Sequence, residues 1–176
     1  MRVCILGSGL TALTLAKALV NQNIFVDLIS SNKNHKINHS RTIGISKSNF
    51  NYFNRNITNI EKISWKLKKI EIFTDKNKNE KILNFENSDE QLFSIIKNYQ
   101  LYEVLNKNLF KNKYFKKIKS KKKLIKQKKY NLIVNTEYNN AFTKKYFSKK
   151  IEKVYNSSAY TTCLLYTSDA ADDLYR

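Results

Sequence analysis

The 176-residue chain contains no proline, three glycines, two cysteines, two histidines and a single tryptophan. With glycine this scarce, it does not serve as routine loop punctuation, so each one marks a demand of the backbone. Two cysteines, Cys4 and Cys163, cannot build the disulfide framework of a small secreted domain. No Cys-x-x-Cys pair or His/Cys cluster at ligand spacing occurs, so no metal is expected. His35 and His39 stand four apart, but in a stretch rich in Asn and Ser without nearby carboxylates, which reads as loop surface. No segment approaches the ~20 apolar residues that span a bilayer. Ser-His-Asp, Cys-His and paired-carboxylate arrangements are also missing, so no side chain is nominated as catalytic.

Acidic residues are few as well: 14 against 33 basic ones, for a net charge of +19. A surplus of this size ordinarily points to nucleic acid or an anionic surface. Here it is spread along the chain in runs such as KNKNEK and KSKKKLIKQKK. Lysine and asparagine share AT-rich codons, and zinc-finger, helix-turn-helix and RRM patterns are lacking. The charge therefore reads as solvated surface, with no nucleic-acid partner. The opening Met-Arg, the apolar run after it and the small-residue pattern AKA bear some likeness to a short signal peptide. Gly7 and Gly9 interrupt that run, Thr11 and Thr14 follow, and a second apolar segment arrives directly, so a cytoplasmic location is expected.

What the chain does have is concentrated at its start. Val3 to Leu6 is a short continuous apolar run, as in a parallel strand buried on both faces. Gly7, Gly9 and Ala12 then match G-x-G-x-x-G/A, and Leu13, Ala16, Leu19 and Val20 follow at helical spacing. Asn21-Gln22-Asn23 closes the helix, and Ile24 to Ile29 returns as a strand. This is the frame in which the dinucleotide fingerprint operates. Gly7 permits the tight turn, Gly9 lets the backbone approach a pyrophosphate, Ala12 keeps helix and strand close, and the phosphates lie on the helix N-terminus. A glycine turn that binds nothing is the alternative. The acidic residue that commonly holds the ribose at the end of the second strand is replaced by Ser30, whose hydroxyl lacks charge assistance. Asp27 belongs to the strand itself.

Farther along, IEIF and KILNF flank a polar connection and predict a hairpin. Leu101, Val104, Leu105 and Leu109 predict an amphipathic helix over Tyr99 to Phe110. A lysine-rich connection follows, and Tyr130 to Val134 reads as a buried strand. Trp65 and the tyrosines read as core or rim. The fold class expected is α/β: a Rossmann-like FAD/NAD(P)-binding domain, truncated, over residues 1–162, with part of an inserted β-rich substrate region at about 57–97.

In order, these motifs resemble the flavoprotein aromatic hydroxylases related to para-hydroxybenzoate hydroxylase, and within them the polyprenyl-phenol hydroxylases of ubiquinone biosynthesis. GSGLTA carries the fingerprint. RTIGIS is similar to the family's Arg-x-x-x-Leu-Ser element, IIKNYQLYEVL to its Asn-x-x-Leu-x-x-x-Leu segment, and YNLIVNTEYNNAFTKK stands where the family has a strand and an Asp-Gly motif. The resemblance implies FAD contacts at Gly7, Gly9 and Ala12, with Arg41 and Asn98 as further candidates. In the fourth segment Glu137 stands at the family's aspartate, Tyr138 at its glycine and Lys144 at its arginine. It further implies NAD(P)H as electron donor, and a reduced flavin that uses dioxygen to hydroxylate an electron-rich phenol. Peripheral association with the inner membrane face, through a lipophilic substrate, belongs to the same expectation. A nicotinamide-dependent oxidoreductase and an inactive dinucleotide-binding module are the other readings.

The last 14 residues, CLLYTSDAADDLYR, change composition abruptly: they hold no Lys, Asn or Ile, and three Asp against one Arg. They resemble an in-frame translation of a transposon-type sequencing adaptor. Residues 163–176 are therefore expected to be non-native, and Cys163 with them.

Overall fold

The computed structural model describes residues 1–30, 39–74, 80–86, 91–119, 130–137, 140–146 and 153–155. His35, Tyr138 and residues 163–176 lie outside them.

The apolar run at the start forms strand β1 (Arg2–Leu6), followed by helix α1 (Leu10–Asn21) and strand β2 (Phe25–Ser30). β1 pairs in parallel with β2, placing Cys4 opposite Asp27 and Leu6 opposite Ile29. Two later strands complete a four-stranded parallel sheet of order β8-β2-β1-β9: β8 (Phe115–Lys119) beside β2 and β9 (Leu132–Asn135) beside β1. The lysine-rich connection expected after residue 110 is corrected here, because its first part is the edge strand β8. Its FKKIK sequence gives no clean apolar run, since an edge strand half open to water tolerates lysines that a central strand does not.

Strand alternation sends Val3, Ile5, Val26 and Leu28 to one face of this sheet, where they join Leu13, Ala16 and Val20 of α1 and Leu101, Leu105 and Leu109 of α3 (Asn98–Phe110) in one core. Each fully buried Leu or Val there contributes roughly 1.5–3 kcal/mol. Cys4, Leu6, Ile29 and Ile118 face the other way and meet Tyr130 and Phe142, the latter from the short helix α4 (Ala141–Tyr146).

Between β2 and β8 the chain builds a second sheet, β3-β7-β4, from β3 (Thr42–Ser46), β4 (Ser64–Leu67) and β7 (Phe93–Lys97), all antiparallel. Helix α2 (Lys47–Asn56) follows β3, starting where Ser46 Oγ accepts from the Asn49 amide at 3.4 Å. Asn21 at the end of α1 donates to the carbonyls of Asn56 and Ile57 at 2.8 and 2.9 Å, tying the two helix ends together. The expected hairpin forms as β5 (Lys69–Phe73) and β6 (Lys81–Glu86), with Ile70 opposite Phe85 and Ile72 opposite Leu83. Lys69 and Lys81 both pair with Glu71 on its polar face. β7, near the end of the inserted stretch, pairs with β3, which precedes it, so the two segments share one sheet.

Candidate dinucleotide site

The turn from β1 to α1 is held from both sides. The Gly7 amide donates to the Ile29 carbonyl at 2.9 Å on the β2 side. On the β9 side the Leu6 carbonyl accepts from the Thr136 amide and from the Thr136 hydroxyl, each at 2.9 Å. Gly7 has φ +136°, a region that side-chain-bearing residues avoid. A Cβ there would also overlap Thr136 Oγ1.

Gly9 differs. Its backbone is extended (φ −79°, ψ 178°), which any residue adopts, and no described atom lies within 4 Å of where its Cβ would stand. The described chain thus supplies no steric reason for glycine at this position, whereas a phosphate laid against the backbone does. α1 has no side-chain cap and no acidic residue in its first turn, and its first backbone bond runs from Leu13 N to Gly9 O at 3.1 Å. The amides of Leu10, Thr11 and Ala12 have no partner within the helix and carry its positive end. Ala12 is fully buried where α1 crosses the sheet. Ser30 ends β2, half-buried.

The second pair of candidates, 57 positions apart in sequence, is brought together by the β3–β7 pairing. Thr42 faces Lys97 in the register, and the Asn98 amide donates to the Arg41 carbonyl at 2.9 Å. Arg41 is exposed, while the Asn98 side-chain Oδ1 is buried with no hydrogen-bond partner among the described residues. A buried acceptor left unpaired is costly, so this oxygen calls for a partner that the described residues do not supply, as does Asn106 Oδ1 farther along α3. His39 packs against Tyr99 at 4.5 Å between ring centroids, the rings tilted by 36°, beside the same junction.

From the fourth segment, Glu137 lies next to the glycine turn, its Cγ 3.4 Å from the Cβ position of Gly7. Lys144 is exposed on α4. Asp27 sits in β2 with 4% exposure; its carboxylate accepts from the Tyr130 hydroxyl at 3.0 Å and lies 3.8 Å from the Arg2 guanidinium. Burial, then the hydrogen bond to Asp27, push the Tyr130 phenol well above its ordinary range. Asp27 braces the sheet. Sequence reasoning missed Tyr130 in this bracing role and Thr136 at the turn, since their partners lie 103 and 130 positions away. A separate groove of about 290 Å³, lined by Asn59, Glu61, Lys62, Ile63 and Val104, involves none of the candidate residues.

No family model matches the chain, and no curated protein does. Solved structures do. The chain is similar to the p-nitrophenol 4-monooxygenase PnpA of Pseudomonas putida at 14% identity and a TM-score of 0.55, over 66% of this chain and 31% of that one. It is similar to PqsL of P. aeruginosa, determined in complex with 2-aminobenzoylacetate, at 14% identity and a TM-score of 0.55, over 68% and 33%. A third likeness, at 18% identity and a TM-score of 0.50 over 66% and 30%, is to a Photorhabdus luminescens protein described as an FAD-containing monooxygenase. The chain therefore shares the α/β fold of these solved structures over the matched part, and it spans about a third of their length. No described helix is long and apolar enough to cross a membrane.

Proposed function

We propose that this chain is the N-terminal part of an FAD-dependent monooxygenase that hydroxylates an aromatic ring. The observation that carries the reading is the pair of glycines. Gly7 is required by the chain's own geometry, and Gly9 opens onto space that no described atom fills. The Arg41–Asn98 junction, where no described residue partners the Asn98 Oδ1, supports it from a second sheet.

In this reading Gly7, Gly9 and the first-turn amides of α1 hold the pyrophosphate of FAD, Ala12 lets α1 approach the sheet, and Ser30 reaches a ribose hydroxyl. Arg41 and Asn98 contact the cofactor farther along. The bound flavin supplies the chemistry with dioxygen; the chain's own residues bind and orient it. The electron donor is NAD(P)H, and the substrate is a small aromatic molecule. The finer assignment, to a polyprenyl-phenol of ubiquinone biosynthesis, rests on the order RTIGIS then IIKNYQLYEVL. With so lipophilic a substrate, a cytoplasmic enzyme would work peripherally at the inner membrane face.

The test is a titration of the purified chain with FAD and, separately, with NAD and NADP, followed by flavin fluorescence and by calorimetry. Saturable FAD binding is expected, with nicotinamide binding weaker. Tight nicotinamide binding without flavin would replace this reading by a nicotinamide-dependent oxidoreductase, and no binding of either by a glycine turn that binds nothing. The same proposal takes residues 163–176 as adaptor-derived. Genomic codons for Cys163 to Ser168 that differ from the adaptor's TGTCTCTTATACACATCT would show the tail to be native.

A further inference from the structure

A glycine turn offers phosphate-binding amides only if something stops it from sampling the many conformations open to glycine. On the β2 side the restraint is a backbone bond, Gly7 N to Ile29 O at 2.9 Å. On the β9 side it is a side chain. Thr136 Oγ1 donates to the Leu6 carbonyl at 2.9 Å and occupies the volume that a Cβ on Gly7 would enter. The Thr136 amide already bonds that carbonyl. Strand pairing between β1 and β9 therefore does not depend on the hydroxyl, and what the hydroxyl adds is a wall beside Gly7.

Thr136 is itself held. Just before it, Asn135 Nδ2 donates to Thr143 Oγ1 at 2.7 Å and to the Glu137 carbonyl at 3.1 Å. Asn140 Nδ2 donates to Asn135 Oδ1 at 2.6 Å, while Asn140 Oδ1 accepts from the Thr143 amide at 2.8 Å. Thr143 Oγ1 donates in turn to the Glu137 carbonyl at 2.8 Å. These five side-chain-mediated hydrogen bonds tie Asn135, Glu137 and Asn140 to one another and to Thr143 of α4. A threonine is stiff at χ1, so an anchored backbone fixes where its hydroxyl stands.

We propose that Thr136 is a positioning residue for the dinucleotide turn: its hydroxyl, seated in the space left by the missing Cβ of Gly7, holds Gly7 at φ +136° and so aims the amides from Gly9 to Ala12. This rests on the dinucleotide reading, and its test reports on the turn with and without cofactor. Thr136→Val keeps the shape and loses the hydroxyl, whereas Thr136→Ser keeps the hydroxyl. Hydrogen–deuterium exchange of the cofactor-free chain should show the two hydrogen-bonded amides of the turn, Gly7 (to the Ile29 carbonyl) and Leu13 (to the Gly9 carbonyl), exchanging roughly fivefold faster in Thr136→Val and at the wild-type rate in Thr136→Ser, with β2 and α3 unchanged. The FAD dissociation constant should rise by a similar factor in the valine variant and recover in the serine variant.

Unchanged exchange at the turn in Thr136→Val would overturn the proposal. So would faster exchange everywhere, or outright unfolding, since either makes the hydroxyl part of general stability. If exchange responds as expected while the wild-type chain binds no FAD, the positioning role stands and the flavin reading falls.

Discussion

Replacing Gly7 and Gly9 by alanine, one at a time, separates what the turn does for the fold from what it does for a ligand. At Gly7 the new methyl group meets two obstacles. The backbone stands at φ +136°, where a non-glycine residue carries strain on the order of 1–3 kcal/mol. The methyl also overlaps Thr136 Oγ1 and drives that hydroxyl from the Leu6 carbonyl, a loss of about 0.5–1.5 kcal/mol. Together these reach roughly 2–4 kcal/mol, a large share of the ~5–15 kcal/mol typical of a domain. At Gly9 the backbone is one that alanine adopts, which favours the variant by about 0.4–1 kcal/mol through the unfolded chain. Alanine is a poorer N-cap than glycine by a comparable amount, so the net change stays within about 0.5 kcal/mol. Urea unfolding followed by circular dichroism reads both. With a slope of about 2 kcal/mol per M, the Gly7→Ala midpoint falls by roughly 1–2 M and the Gly9→Ala midpoint hardly moves. FAD titration should give the complementary result: Gly9→Ala folds normally but loses at least about tenfold in affinity, because its methyl group fills the phosphate space. Wild-type affinity in Gly9→Ala would refute the ligand half of the argument, and wild-type stability in Gly7→Ala would refute the fold half.

Two further predictions follow from the other candidates and from the sheet bracing. Arg41→Ala should weaken FAD binding several-fold more than Arg55→Ala, which removes the same charge from the exposed end of α2; Asn98→Ala should weaken it too while leaving the urea midpoint near wild type, because the Oδ1 it removes is buried without a partner among the described residues. Equal affinities across these variants would count against both residues. Tyr130→Phe withdraws a donor from buried Asp27 and should cost about 1–3 kcal/mol at pH 8 by urea unfolding. The phenol titrates higher in the folded chain than in the unfolded one, so its contribution is complete below pH 10 and is lost as pH rises beyond that. The stability gap between wild type and Tyr130→Phe should therefore narrow above pH 10, and a constant gap would contradict the assignment.

The opening strand–turn–helix–strand was legible in the sequence because every signal in it is local: a four-residue apolar run, two glycines and a 3.6-residue stripe all act within 30 residues. The hairpin and α3 were legible for the same reason, since alternation and helical spacing are properties of contiguous chain. Local patterning did not reveal which strands flank β1. Nothing within FKKIK marks it as the edge strand beside β2, and β9 reaches β1 only after more than a hundred intervening residues. Parallel pairing is set by how the faces of the sheet are covered, here by α1 and α3 on one side and by Tyr130 and α4 on the other. The site divides in the same way. The chain's first motif names Gly7 and Gly9, but only the folded chain distinguishes their roles, because the positive φ of Gly7 and the open space at Gly9 depend on where Thr136 and the rest of the chain come to lie. Arg41 and Asn98 become neighbours through the register of β3 on β7, and Thr136 reaches the turn through that of β9 on β1. Such registers are fixed by burial of one face against another, a condition that no single segment carries in its own sequence.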